Sequence, residues 1–150
     1  MLTRKSKYGL KALLLLARDP GRAMLASEIA EQEQIPKKFL QLILLELKRR
    51  GMVKSRRGKG GGYQLAQAPA DIHVGAVLRA LDGPLALTPC ASETAYQRCE
   101  ECADELACGI QLVMRQVRDA TAHILEAATL DKVNHAVDAR VRGARQRSGR

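Results

Sequence analysis

All four cysteines of this 150-residue chain fall in one short segment, as Cys90, Cys99, Cys102 and Cys108. Thiolates bind soft and borderline metals, and three or four of them close together suit an iron–sulfur cluster or tetrahedral zinc. Lys11 interrupts the only segment that resembles a secretory signal, so we expect a cytosolic chain. In a cytosolic chain, four cysteines this close together favour a metal or redox site over disulfides. Three interpretations follow: a cluster of the 2Fe–2S or 4Fe–4S type, zinc, and a metal-free thiol–disulfide switch.

The charge of the chain indicates a second kind of chemistry. The net charge is +9, which favours a polyanionic partner such as duplex nucleic acid or an anionic membrane surface. No apolar run approaches the ~20 residues needed to cross a bilayer, so membrane insertion is excluded and a cytoplasmic location is expected. Aromatic residues are only 3% of the chain, which argues against stacking on single strands. Double-stranded DNA is therefore the predicted partner.

The residues predicted to contact DNA lie at the start of a predicted helix and in a glycine-rich segment. Pro36 suits the first turn of a helix, because its missing N–H is not needed there. Side-chain donors just after it can reach base edges or phosphates in the major groove. Cations in the glycine-rich segment can reach phosphates or the adjacent minor groove. The two groups are Lys37, Lys38 and Gln41 on the helix, and Arg56, Arg57 and Lys59 on the glycine-rich segment.

The elements that position these residues follow from the spacing of apolar side chains. Leu10, Leu13, Leu14 and Ala17 recur at helical spacing, and a second apolar face runs from Leu40 to Leu47. The predicted helices are 6–18, 26–32, 36–50, 70–81, 105–128 and 130–137, and the predicted strands are 52–55 and 63–65.

The glycine-rich segment 56–62 lies between the two predicted strands, which makes it the tip of a hairpin. A nucleotide-binding P-loop is excluded, because Tyr63-Gln64-Leu65 follow where Lys-Ser/Thr should open a helix. Two short helices, a basic third helix and this hairpin predict a winged helix-turn-helix head. The predicted fold class is thus mainly α with a small β-hairpin wing, completed by a long dimerisation helix.

The chain is predicted to divide into four parts. Residues 1–83 form the DNA-binding head, and residues 84–108 form a cysteine-rich sensor loop that is longer than an ordinary connection. Residues 109–138 hold the long helix, whose apolar stripe is close to a heptad seam and needs a partner. The basic tail 139–150 is expected to be disordered.

Three stretches resemble the Rrf-two family of bacterial winged-helix transcription regulators. They are Lys7-Tyr8-Gly9-Leu10, Ile35-Pro36-Lys37-Lys38-Phe39-Leu40 and, most specifically, Arg57-Gly58-Lys59-Gly60-Gly61-Gly62-Tyr63-Gln64-Leu65. The resemblance covers residues 1 to about 135. It implies a homodimer held by the long helix, with Lys38, Phe39, Gln41 and Arg57 facing promoter DNA. One branch of the family has Glu where this chain has Gln41, so operator preference does not transfer.

The resemblance also bears on the cysteines. Cluster-binding members use three cysteines spaced five residues apart, and Cys102-x5-Cys108 matches the second half of that pattern. Cys90 and Cys99 depart from the first half. The fourth ligand of relatives is a His where this chain has Gln111, or an Asp where it has Lys7. The resemblance therefore implies either four cysteine ligands or three with an open site, and it ranks the iron–sulfur cluster above zinc and the thiol switch.

These observations predict a sequence-specific transcription regulator that senses cluster, redox or nitric oxide status through its cysteines. The alternative is a DNA-binding protein with structural zinc or a thiol–disulfide switch and no cluster. An enzyme is not expected, because no Ser/His/Asp or paired-carboxylate arrangement occurs at meaningful spacing.

Overall fold

A computed structural model describes residues 2–148 of the chain. The helices are α1 (Arg4–Leu16), α2 (Ala26–Glu33), α3 (Lys37–Arg49), α4 (Val74–Asp82), α5 (Gly109–Ala127) and α6 (Leu130–Ser148). Two strands, β1 (Val53–Arg56) and β2 (Gly62–Leu65), follow α3, and short 3₁₀ turns occupy Pro69–Asp71 and Pro89–Ala91.

Helices α1 to α4 and the base of the hairpin enclose the hydrophobic core. The apolar face of each helix points inward, as its spacing requires, and α3 buries Leu40, Ile43, Leu44 and Leu47 on one side. The first residue of α6, Leu130, is also fully buried in this core. The head and the start of α6 are therefore one packed unit.

The hairpin is antiparallel and has the register Val53↔Leu65 to Arg56↔Gly62. Met24, between α1 and α2, adds one bridge to Tyr63 of β2 through two backbone hydrogen bonds of 2.8 and 2.7 Å. This bridge fixes the hairpin to the helical part of the head. Three helices followed by an anchored hairpin are the winged helix-turn-helix arrangement that the sequence predicts.

Side-chain contacts along α1 show how it runs relative to α3 and α4. The Lys5 ammonium lies 2.6 Å from the Glu46 carboxylate near the end of α3, and the Lys11 ammonium lies 3.1 Å from that of Glu33, which precedes α3. Helix α1 is therefore antiparallel to α3, and its C-terminal direction leads toward the first turn of α3. Lys5 also donates to the carbonyl of Leu81 at the end of α4, which places the start of α1 beside the end of α4.

Helix α6 lies on α1 and runs parallel to it. The Asn134 amide donates to the carbonyl of Leu14 at 3.0 Å, and the Arg18 guanidinium lies 3.1 Å from the Asp138 carboxylate. Within residues 2–148, no helix combines the length and apolar character needed to cross a membrane.

The prediction that residues 139–150 are disordered is wrong for residues 139–148, which continue α6 without a break. Residues 149–150 lie outside the described part of the chain. The segment contains Ala, Arg and Gln, which favour helix, and only Gly143 opposes it. Because the first turns of α6 are held by packing on α1, the segment extends an existing helix and needs no new nucleus.

Two other boundaries differ from the prediction by more than two residues. The sequence predicts one helix over 70–81, but a 3₁₀ turn ends at Asp71 and α4 begins only at Val74. The intervening Ile72 and His73 are extended, because they pair with Thr129 and Leu130 at the start of α6. Helix α5 begins at Gly109 instead of 105, with the Cys108 sulfur accepting from the Gln111 backbone N–H as an N-cap.

Candidate nucleic-acid interface and cysteine loop

The first turn of α3 presents three of the predicted DNA-contacting side chains to solvent. Lys37, Lys38 and Gln41 are exposed, whereas the opposite side of the helix is buried in the core. Phe39 differs, because it is half-buried and packs edge-on against Tyr8, with 5.8 Å between the ring centroids. The structure therefore gives Phe39 a packing role, and its contact with DNA stays a prediction.

The wing presents the other three predicted residues. Arg56, Arg57 and Lys59 are all exposed at the tip of the hairpin. The chain returns into β2 through Gly62, whose φ of +141° is unfavourable for any residue with a side chain. A Cβ at Gly62 would also stand 2.4 Å from the carbonyl oxygen of Met24, so glycine is required where the wing is fixed to the head.

The predicted DNA-contacting cations are among the cations of the head that have no acidic partner in the described chain. Five cations of the α-helical body pair with carboxylates: Lys5, Lys11, Arg18, Arg22 and Arg79. Within residues 2–148, no ion pair involves Lys37, Lys38, Arg56, Arg57 or Lys59. Unpaired, exposed cations on one surface are available for phosphates.

The cysteine loop, defined here as residues 83–108, connects α4 to α5 with one 3₁₀ turn. That turn carries Cys90, which is buried, next to the fully buried Ala91. Cys99 is exposed, and Cys102 and Cys108 are half-buried. All four cysteines are free thiols. The loop therefore has one fixed end, at Cys90, and a more exposed part that carries the other three.

The thiols influence one another's acidity. A hydrogen bond with Thr88, whose hydroxyl lies 3.5 Å from the Cys90 sulfur, lowers the pKa of Cys90, with a smaller contribution from Cys99. The interaction with Cys90 raises the pKa of Cys99. Once one of the two thiols has lost its proton, the remaining proton is shared between the two sulfurs and is harder to remove. Burial and the neighbouring Cys108 raise the pKa of Cys102. Among the cysteines, Cys90 has the largest effect on Cys99 and Cys108 has the largest effect on Cys102, and smaller effects of Cys102 and Cys108 on Cys99 link the two pairs.

The arrangement of the loop does not close around a metal ion. Among residues 2–148, no group of three or more His, Cys, Asp or Glu side chains is placed to hold one. The donors nevertheless fit a soft metal by type, since four thiols lie on one loop and interact with one another. Metal binding would require deprotonation of the thiols and closure of the two pairs on each other.

Two side chains of α5 hold the cysteine turn. Gln111 is buried and donates from its amide to the carbonyl of Cys90 at 3.2 Å, and Arg118 donates to the carbonyl of Ala91 at 2.7 Å. They lie seven residues apart, which places them on one face of the helix. Arg118 was not identified from the sequence, although a cation two turns after Gln111 on a predicted apolar face was a usable signal.

The rest of α5 is held by α4 on one side only. Arg79 of α4 pairs with Glu126 near the end of α5, and the backbone N–H of Val74 donates to the carbonyl of Ala128. On another side of α5 an apolar stripe is exposed, with exposed fractions of 69% for Ile110, 49% for Val113, 37% for Val117 and 67% for Ile124. Such a stripe at heptad spacing is typical of a helix that packs on a partner.

A family model described as "Rrf2: Iron-dependent Transcriptional regulator" matches residues 2–136. The chain belongs to the Rrf2 family. It is 44% identical over 135 residues to an rrf2-like HTH-type transcriptional regulator of Rhodobacter capsulatus, covering 87% of this chain and 90% of the relative. The resemblance to this family and the winged-helix fold class inferred from the sequence are thereby confirmed.

Solved structures agree with this membership. The structure of CymR, the global cysteine regulator of B. subtilis, matches with a TM-score of 0.75 at 28% identity and covers 91% of this chain and 97% of that one. The structure of T. potens IscR matches with a TM-score of 0.70 at 26% identity and covers 93% and 88%. The chain is thus a transcription regulator of a family whose members bind DNA and are not enzymes.

Proposed function

We propose that the chain binds operator DNA as a homodimer in the cytoplasm, and that a sulfur-ligated metal centre in the cysteine loop controls this binding. The observation that carries the proposal is the double attachment of the cysteine turn to α5 by Gln111 and Arg118. It joins the candidate sensing residues to the helix whose exposed apolar stripe is suited to dimerisation.

The DNA contacts are assigned to the exposed polar side chains of the first turn of α3 and of the wing. Lys37, Lys38 and Gln41 would enter the major groove at the first turn of α3, where donors can reach guanine, adenine or phosphate. The wing cations would bind phosphates beside that groove or enter the minor groove. Phe39 would act by holding the first turn of α3 against α1 through Tyr8.

The homodimer is assigned to α5. Ile110, Val113, Val117 and Ile124 form a stripe that the described chain leaves 37–69% exposed. A two-fold pairing of this stripe would bury it and would place two reading heads on successive half-sites of a palindromic operator.

The metal centre is assigned to Cys90, Cys99, Cys102 and Cys108. An iron–sulfur cluster is the first choice, supported by the iron dependence in the family's description and by the resemblance of Cys102-x5-Cys108 to cluster-binding members. When bound, a cluster would supply redox chemistry and reactivity toward oxidants and nitric oxide. Some relatives take their fourth ligand from a His at the position of Gln111. If all four cysteines bind the cluster, this chain needs no ligand at that position.

The coupling between the loop and DNA would pass through α5. Metal binding would draw Cys99, Cys102 and Cys108 toward the fixed turn at Cys90 and Ala91, and the resulting force on that turn would pass to α5 through Gln111 and Arg118. Because α5 also pairs with α4 of the head through Arg79 and Glu126, the relative position of two heads in a dimer would change with it.

The decisive experiment is anaerobic purification with an ultraviolet–visible spectrum and iron, sulfide and zinc analysis. Iron with sulfide, broad absorbance near ~400 nm, and loss of both on replacing the four cysteines by Ser support the proposal. A duplex selected from a random library then reports whether loading changes the Kd. Unchanged affinity and sequence preference after cluster removal would contradict the sensing part.

Two alternatives remain as outcomes of the same experiment. Colourless protein with stoichiometric zinc would make the loop structural, for which the Cys99-x2-Cys102 spacing is suitable. The influence of Cys90 on the pKa of Cys99 and of Cys108 on that of Cys102 favours a thiol–disulfide switch within these two pairs if neither metal is found. In that case, mass spectrometry of oxidised protein should find disulfides within these two pairs.

A further inference from the structure

The last ten described residues, 139–148, form a helical arm that extends beyond the body of the protein. Every residue of the arm up to Arg147 is exposed except Gly143, which is half-buried. The last ion pair between α6 and the head within residues 2–148 is at Asp138, whose carboxylate pairs with Arg18 just after the end of α1. At 1.5 Å per residue, the arm reaches about 15 Å beyond that contact.

The arm is strongly and uniformly basic. It contains no Asp or Glu, and within residues 2–148 none of its arginines forms an ion pair. Its cations lie on two opposite sides of the helix, Arg140 with Arg147 on one and Arg142 with Arg145 on the other. The four cations are Arg140, Arg142, Arg145 and Arg147.

The arm also points in a definite direction. Helix α6 is parallel to α1, and α1 leads toward the first turn of α3, as the contacts of Lys5 with Glu46 and of Lys11 with Glu33 show. The arm therefore runs in the direction from the end of α3 to its first turn, and it begins about 15 Å past that turn, because Tyr8, which packs on Phe39, lies ten residues before Arg18. The cysteine loop, which is acidic, begins at the opposite end of α1, where Thr3 bonds to Asp82.

We propose that the arm, residues 139–148, is a second DNA-contacting element that binds phosphates flanking the site contacted by α3 and the wing. Its charge fits the phosphate backbone, and its axis continues in the direction of the N-terminal end of α3. The family match ends at residue 136, so the arm is a feature of this chain beyond the part it shares with the family model. The proposal rests on DNA binding by the head and is independent of the metal centre.

The test uses the full chain, a fluorescein-labelled 40-base-pair duplex of random sequence, and fluorescence anisotropy between 50 and 200 mM KCl. In the arm variant, Gln replaces Arg at all four positions, because Gln keeps the helix propensity and removes the charge. We expect the slope of log K against log salt to fall by about one to four per protomer, and affinity at low salt to fall at least about tenfold.

Two control variants separate the arm from charge in general. Replacing the same four arginines by Lys keeps the charge and should leave the slope nearly unchanged. A body variant with Arg4, Arg49, Arg50 and Arg115 changed to Gln loses the same net charge at exposed positions away from the first turn of α3. Circular dichroism and light scattering establish that each variant keeps its helix content and its assembly state.

Each outcome decides the question. A smaller slope in the arm variant alone supports the proposal. An unchanged slope, or an equal loss in the body variant, overturns it, and a changed assembly state with an unchanged slope would assign the arm to a partner's acidic loop instead. If the wing variant Arg57→Gln weakens binding and the arm variant does not, the proposal for the arm is wrong and the proposal that the head binds DNA is retained. No binding by any form would overturn both.

Discussion

Gly62 is the residue on which the position of the wing depends most directly. Its φ of +141° and the 2.4 Å that would separate a Cβ atom from the Met24 carbonyl oxygen both require glycine. The backbone carbonyl cannot move aside as the end of a side chain can, because it belongs to the bridge between Met24 and Tyr63.

Replacing Gly62 by Ala should therefore destabilise the head by about 1–3 kcal/mol, the usual cost of holding a residue with a side chain in such a conformation. Urea unfolding followed by circular dichroism measures the change. Gly21→Ala is the matched control, because its Cβ would meet nothing within 4 Å and its φ is not positive. Equal stability of the two variants would show that the bridge does not constrain the wing.

Arg57 lies at the wing tip without an acidic partner in the described chain. Arg57→Gln should weaken binding to a random-sequence duplex and lower the salt slope by about one per protomer, as expected for one lost phosphate contact. Arg22→Gln is the control, since the Arg22 guanidinium already pairs with Glu28. A larger loss in the control than in Arg57→Gln would move the interface away from the wing.

At the scale of elements, α5 has two separate sides with different tasks. Gln111, Arg118 and Leu125 face the cysteine turn and α4, whereas the stripe from Ile110 to Ile124 is exposed. A charge placed in the stripe would lose its water when the stripe pairs with a second copy of the chain, and this would oppose pairing. The assembly state of such a variant therefore reports whether the stripe forms the interface.

Changing Val113 and Val117 together to Glu should convert the proposed dimer to a monomer, measured by light scattering over a range of concentrations. The control changes Gln116 and His123 of the same helix to Glu, since both are exposed and lie beside the stripe. Helix content should stay the same in both variants. If the chain is a dimer and stays one in the valine variant, the dimer uses another surface.

The sequence was most informative where local chemistry decides structure. The apolar spacing of α3 and the glycines of the wing specify their own conformations, so both were predicted in the right places. The arm was not, because its composition suits both a solvated coil and a helix, and only the packing of Asn134 and Asp138 on α1 decides between them. The contact of Arg118 with Ala91 depends in the same way on how a long loop folds back.

For the whole molecule, metal loading should order the cysteine loop and leave the head as it is. Arg98 is the only tryptic site in residues 84–108, and it now donates to the carbonyls of Cys102 and Ala103. Cleavage after Arg98 should slow by about tenfold or more on loading with iron and sulfide or with zinc, because a closed loop opens less often.

Cleavage at the wing, after Arg56 or Arg57, serves as the internal control and should not change. The loading effect should disappear when the four cysteines are replaced by Ser. Equal protection of that variant would mean that the metal acts elsewhere in the chain.

Helix α1 contacts α2, α3, α4, α6 and β2, so one buried element supports the wing, the reading helix and the arm at once. This has a consequence for genetics. Alleles with substitutions at Leu13 or Leu16, both buried, should be recessive nulls that lose every phenotype together. Alleles that lose one function and keep another should instead map to the surface. Alleles that no longer respond to the signal should map to the cysteine loop and to Gln111 and Arg118. Alleles that bind DNA weakly but still respond should map to the wing and the arm.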